Sequence, residues 1–476
     1  MKSIKNLLWY GLNYLFKYLL PIITLPIFTS FLSVGEFGKY ALALLYGTFG
    51  SGIINLGLLT VFERNFFELS SPKRKNLLFS TLVFTLLTFS MILSLTFIFS
   101  DFISGSVFKQ NQLSDILPLA LAFQTFKTFN QYFFVYFKNY ENAKKYTYIS
   151  ILESLFSIGF ALAFVAFASM GIYGFLLGQF LGVFLIFIAV FTLLFYPFSN
   201  CFKFHLLRNQ LALSLPLTPR IFFGVINTQF DRYMLGVLGT LGGVGLYDIG
   251  QKIANTTFSF MTTIQNIYSP QVFKRLFSKK VDEKMSVGKY LAPFFYLSIL
   301  ACLSVGILSY EILFIFTPVE FHSAAPVVSI LCILYGFYFF GKQPQLLYAK
   351  KTGLISILSL VSIGLNIGLN IPLIDHFGLV GAACATTIAG IISTGISFYY
   401  GQKFAPIMYE KRVFLMLLYF IISILFILYI SNLEIDYKLL LFFKLVVLII
   451  YLIIGWISEI FNFNMIKQIV KLKSLD

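Results

Sequence analysis

Fourteen apolar runs dominate this sequence. Each is long enough to cross the roughly 30 Å of a bilayer's hydrocarbon, which takes a helix of about 20 residues. The first covers residues 7–31 and the last 439–459. Lipid offers the backbone no hydrogen-bond partner, so only helices and closed barrels span it. Long runs without strand-like alternation predict helices. The expected fold class is an all-α polytopic membrane protein of about 14 transmembrane helices. Composition agrees: 58% of the 476 residues are hydrophobic, 11% are charged and 59 are Phe. A soluble chain of this size could not bury that much apolar surface. A cytosolic enzyme, a nucleic-acid binder and a disordered hub are excluded. The first run is too long for a signal-peptide core and lacks a small-residue cleavage site, so it is expected to be retained. All connections are short, which confines any transport or chemistry to the helix bundle and its loops.

Charge is distributed by side. Twenty-five Lys and Arg residues flank one set of run ends, among them Lys73, Arg74, Lys144, Lys145, Lys274 and Lys350. Only Lys39, Lys109 and Lys438 flank the other, where Glu36, Asp101, Glu311, Glu320 and Asp375 lie. Positively charged loops stay in the cytoplasm, so both termini are expected there. The net charge of +16 reports topology and requires no nucleic acid. The scattered Cys201, Cys302, Cys332 and Cys384, with His205, His322 and His376, form no metal-ligand or disulfide spacing.

The sequence repeats itself. The turn from Leu32 to Tyr40 matches that from Gly239 to Tyr247 at an offset of 207, and Gly171 and Gly174 match Gly378 and Gly381 at the same offset. Ala143-Lys144-Lys145 matches Ala349-Lys350-Lys351 at 206. Six crossings separate the copies, an even number, so the halves keep one orientation and form a parallel repeat. The expected domains are an N-lobe over 1–202, a C-lobe over 203–405, and two extra helices with a cytoplasmic tail over 406–476. Gly174, Gly178 and Gly182 fall four apart, and small residues at that spacing let helices approach within a lobe.

Polar residues inside the runs share helical faces: Asn13, Lys17 and Thr24; Thr48, Ser51 and Asn55; Gln124, Lys127 and Gln131; Arg220, Asn227 and Asp231 with Arg232; and Asp248, Lys252, Asn255 and Ser259. Lys342 lies near the cytoplasmic end of its run. A charge at mid-bilayer is costly unless it faces a cavity or a partner. Convergence of these faces would give a basic central cavity. Its expected substrate-binding residues are Lys17, Lys127, Arg220, Arg232, Lys252, Lys342, Asn55 and Asn255. Asp231 and Asp248 are expected either to couple an ion, proton or sodium, or to form structural ion pairs with Arg232 or Lys252. Glu153 is expected in the first turn of its helix, and Lys444 is expected to snorkel to the outer surface. Pro21 and Pro26, and Pro216 and Pro219, fall in the first crossing of each repeat, where they favour bends. No catalytic group and no cofactor motif is expected.

The run from Leu25 to Tyr40, the stretch Leu56-Gly57-Leu58 followed by Glu63 to Glu68, Asp231-Arg232-Tyr233-Met234-Leu235 followed by Gly242 to Tyr247, and Phe377 to Ala383 resemble bacterial polysaccharide flippases. These belong to the multidrug/oligosaccharidyl-lipid/polysaccharide exporter superfamily. The resemblance implies two lobes around a central cavity, alternating access, and a polyprenyl-pyrophosphate-linked oligosaccharide as cargo, of O-antigen, capsule or teichoic type, moved across the cytoplasmic membrane. It further implies membrane lipid, a polysaccharide polymerase and assembly proteins as partners. A lipid II flippase is the nearest alternative. A multidrug cation antiporter would need carboxylates where this chain has bases, and a glycosyltransferase or polymerase would need a large outer loop.

Overall fold

The computed structural model describes all residues except 1, 197–201, 279, 281, 283–284, 342–343, 434, 459 and 461–476. Among the described residues the regular structure is helical throughout. Packing divides the chain into two compact units, residues 1–248 with 316–318, and residues 249–315 with 319–476.

The first unit begins with α1 (Lys2–Phe31), α2 (Val34–Asn55), α3 (Leu58–Asn65), α4 (Ser71–Phe102) and α5 (Leu117–Asn139). It continues with α6 (Ala143–Leu162), α7 (Gly171–Phe195), α8 (Phe204–Ser214), α9 (Thr218–Leu238) and the first two turns of α10 (Leu241–Leu276). One π-helical turn closes each of α4 and α6, at Ile103–Val107 and Ala163–Phe167. The second unit takes the rest of α10, then α11 (Val287–Ile307), α12 (Ser309–Phe316), α13 (Ala325–Gly341) and α14 (Gln345–Tyr348), followed by α15 (Thr352–Phe404), α16 (Lys411–Ser431) and α17 (Tyr437–Ile457).

Eight of the described helices are long and apolar enough to cross a membrane, and α2 and α3 make a ninth if their 51° bend joins two parts of one span. The bend has a local cause. Leu56 and Gly57 both take left-handed backbone conformations, at φ 46° and 75°. At 53 residues, α15 would be about 80 Å long at 1.5 Å per residue, far more than one bilayer. It breaks at Gly378, whose φ of 56° and ψ of −129° are not helical. Gly171, which opens α7, has nearly the same φ, 55°. Large side chains such as Leu87, Ile98, Leu193 and Ile457 stay exposed, as surfaces that face lipid do.

Two devices organise the first unit. Glu36 caps two helices at once. Its Oε2 accepts from the backbone N–H of Ser33 at 2.9 Å, completing a capping box at the start of α2. Its Oε1 accepts from the N–H of Ile172 at 3.3 Å, in the first turn of α7, and the carboxylate suits the positive end of both helix dipoles. Gly171 is required there twice over: a Cβ would lie 2.7 Å from Glu36 Oε1, and the backbone φ is positive.

The second device is glycine packing. As the four-residue spacing predicts, Gly178 and Gly182 lie directly on the backbone of α6 at Ala161 and Ser157. At the starts of α2 and α10 the contacts are reciprocal. A methyl on Gly38 would collide with the Leu241 carbonyl, and one on Gly245 with the Val34 carbonyl. Gly38 and Gly245 are partners at the 207-residue offset, as are Val34 and Leu241.

Three expectations are corrected. Pro216 lies in a 3₁₀ turn, Leu215–Leu217, that joins α8 to α9, and Pro219 lies in the first turn of α9. Pro219 costs no helical N–H bond there, whereas Pro216 marks the break between α8 and α9, and Pro21 and Pro26 lie inside α1. Glu153 is in the third turn of α6, which already begins at Ala143. Lys444 does not snorkel: its side chain is 2% exposed and paired with Glu311.

Replacing Gly178 by Leu should force α6 and α7 apart and destabilise the protein by about 1–3 kcal/mol. Gly159→Ala, on α6 where nothing lies within 4 Å of the added atom, should leave the melting temperature unchanged or slightly raised. Thermal unfolding of both variants in detergent checks this contrast.

Candidate functional site: the intramembrane charges

In the first unit the charged groups gather where α9 meets α10. A short turn at Gly239 and Thr240 reverses the chain, so Asp231 and Arg232 on α9 come alongside Tyr247 and Asp248 on α10. Arg232 Nη2 lies 2.7 Å from Asp248 Oδ1, with side chains 12% and 5% exposed. The same guanidinium also donates to Gln229 Oε1, one turn earlier. The Tyr247 hydroxyl donates to Asp231 Oδ2 at 2.9 Å. Arg232 Nε is buried and has no hydrogen-bond partner among the described residues. Arg232 is thus engaged with Asp248, the ion-pair alternative read from the sequence, and Asp231 is held by a tyrosine.

The polar face of α2 turns toward α5. Gly47 and Gly50 bring the two helices close at Ala120 and Leu121. Ser51 Oγ and Thr128 Oγ1 share a hydrogen bond of 2.8 Å, and the Tyr132 hydroxyl donates to Asn55 Oδ1. Asn55 therefore joins helices. In the second unit the Tyr335 hydroxyl donates to Asn255 Oδ1 at 2.6 Å, and Asn255 joins α10 to α13 in the same way.

Two of the expected lysines are exposed. Lys127, in the middle of α5, is exposed and holds its Nζ 5.5 Å from the centre of the Phe123 ring. Lys252, in the second unit, is exposed on α10. Lys17 and Arg220 lie on α1 and α9, and their side chains are outside the described set. Lys342 is outside the described residues altogether. Of the eight expected binding residues, the structure thus gives interhelical partners to Asn55, Asn255 and Arg232 and leaves Lys127 and Lys252 exposed.

Sequence reading missed two buried polar sites. Asn130, fully buried on α5, donates its Nδ2 to Glu153 Oε2 at 2.6 Å and to the Val183 carbonyl at 3.0 Å. Lys444 Nζ donates to both oxygens of Glu311, at 2.8 and 2.9 Å. The Lys444–Glu311 partners are 133 residues apart, so no local spacing announces them. Among the described residues no group of three or more His, Cys, Asp or Glu side chains could hold a metal ion.

The fold is shared with solved membrane transporters. A solved lipid II flippase MurJ in an inward closed conformation superposes with a TM-score of 0.72 at 17% identity, over 96% of this chain and 100% of that one. A mutant of the Vibrio cholerae MATE transporter VcmN gives 0.55 at 13% identity, over 84% and 97%. At these identities the likeness concerns the fold. The family described as polysaccharide biosynthesis protein matches residues 3–270, more than half of the chain, and the chain belongs to it. A curated relative, the probable low-salt glycan biosynthesis flippase Agl15 of Haloferax volcanii, is 28% identical over 193 residues. That match takes in 39% of this chain and 40% of the relative.

Removing one member of the buried Arg232–Asp248 pair should cost about 3–5 kcal/mol, because the other charge is left buried and alone. Arg232→Gln and Asp248→Asn should each lower the unfolding temperature sharply, and the double variant should recover most of the loss. A double variant as unstable as the sum of the singles would show that the two side chains act independently.

Proposed function

We propose that this protein is a flippase that moves a polyprenyl-pyrophosphate-linked oligosaccharide from the inner to the outer leaflet of the cytoplasmic membrane by alternating access. Family membership and the transporter fold support the class. The chemistry rests on one observation: Lys127, in the middle of α5, and Lys252, in the first third of α10, are exposed within apolar runs. A lysine facing lipid at mid-bilayer costs about 2.5–3.5 kcal/mol on insertion scales. A water-filled cavity removes that cost, and an ammonium lining such a cavity attracts a pyrophosphate.

On this reading there are fourteen crossings, in two parallel six-helix lobes with two extra helices, and both termini are cytoplasmic. The reciprocal Gly38 and Gly245 contacts and the matched φ angles of Gly171 and Gly378 support the parallel repeat. Glycan repeat units of O-antigen, capsule or teichoic type are the cargo, and a polymerase with its assembly proteins receives them. Lipid II carries the same pyrophosphate and is the rival cargo.

Lys127→Ala and Lys252→Ala should each reduce translocation at least about tenfold without lowering the amount of folded protein, and Lys→Arg should keep more activity than Lys→Ala. Lys→Glu should be worst, since it repels the cargo. The assay follows glycosidase- or lectin-accessible glycan in vesicles carrying the lipid-linked oligosaccharide, with lipid II run in parallel. Normal translocation by Lys127→Glu together with Lys252→Glu would refute the cationic cavity, and transport of lipid II alone would reassign the cargo.

A further inference from the structure

The second unit holds a cavity of about 610 Å³, within the range of about 300–1,000 Å³ typical of small-molecule sites. It lies where five helix ends meet: the last residues of α11 and α16, and the starts of α12, α13 and α17. The Lys and Arg distribution puts this end on the outer side. Its walls are mostly apolar, with Ile330, Ile427 and Leu440 among them, and Ser431, Asn432 and Tyr437 are exposed at the rim.

Lys444 is part of the wall, and it is the unusual feature. Two of its three ammonium protons go to Glu311. Among the described residues no acceptor takes the third. A buried ion pair repays its desolvation only when its remaining donors find acceptors, so an acceptor arriving in the cavity would complete the set. Lys438, exposed on the first turn of α17, adds a second positive charge at this end. Around the cavity, Ile422 and Leu425 of α16 and Ile449 and Ile450 of α17 are exposed, as lipid-facing side chains. An occupant drawn from those surroundings has an apolar chain and must bring an acceptor.

We propose that this cavity binds one phospholipid of the outer leaflet, with its phosphate on Lys444 and an acyl chain against Ile330, Ile427 and Leu440. The site is separate from Lys127 and Lys252 and does not depend on which cargo is moved.

The test is native mass spectrometry of the purified full-length chain titrated with phosphatidylglycerol, with diacylglycerol as the headless probe. The parent should retain one phosphatidylglycerol, with diacylglycerol at least about tenfold weaker. Ser431→Trp fills the rim from an exposed position and should weaken phosphatidylglycerol to a similar degree. Lys444→Met with Glu311→Leu removes both charges together and should do the same. If that double variant fails to fold, the Ser431→Trp comparison decides alone. No retained lipid in the parent, equal retention by Ser431→Trp, or equal binding of diacylglycerol would each overturn the proposal. Unchanged transport by Ser431→Trp would leave the cargo reading intact, so the two readings fail separately.

Discussion

The cost of a charge in hydrocarbon governs this structure more than any single contact. A helix bundle in lipid has no water with which to share its ionic groups, so each must find a partner, reach an interface or face a cavity. Arg232 finds Asp248, and Lys444 finds Glu311. Glu153 receives a hydrogen bond from the buried Asn130. The Lys444–Glu311 pair ties helices distant in sequence, and the Arg232–Asp248 pair ties two helices joined by a short turn. Charges so engaged are structural cement. Lys127, in the middle of α5, and Lys252, in the first third of α10, are exposed. On the proposed function, it is their exposure, and not the number of basic residues, that suits a cavity for an anion.

Close backbone approach is the second requirement. Between helices in lipid there is little hydrophobic force, so packing contacts and interhelical hydrogen bonds hold the bundle together. Gly178 and Gly182 let α7 lie on α6, and Gly47 and Gly50 bring α2 against α5, where Ser51 and Thr128 then bond. At the starts of α2 and α10, Gly38 against Leu241 and Gly245 against Val34 form the same contact twice, with the roles of the two helices exchanged.

Much of the fold was legible because it is written in local pattern. Run length gives helices, the four-residue glycine spacing gives the α6–α7 contact, and the repeated Gly171 and Gly378 fall at two sharp backbone turns. The candidate site was less legible. A helical wheel shows that Ser51 and Asn55 share a face, yet it cannot say whether that face meets water or α5. The glycines one turn away, Gly47 and Gly50, were the available signal that a neighbour lies close. The Lys444–Glu311 pair had no local signal, since it depends on how α17 docks on α12. The position of Glu153 was misread because α6 starts six residues before its apolar run, at Ala143.

The central claim is that Lys127 and Lys252 face water inside the membrane. Cysteine accessibility in membranes tests it directly. In a variant freed of Cys201, Cys302, Cys332 and Cys384, cysteines at 127 and 252 would be treated with a charged, water-soluble thiol reagent in vesicles of both orientations. A cysteine in place of the lipid-exposed Leu87 serves as the unreactive reference. The account predicts rapid labelling at both lysine positions and protection by the pyrophosphate-linked cargo. Labelling no faster than at position 87 would place both lysines against lipid and contradict it.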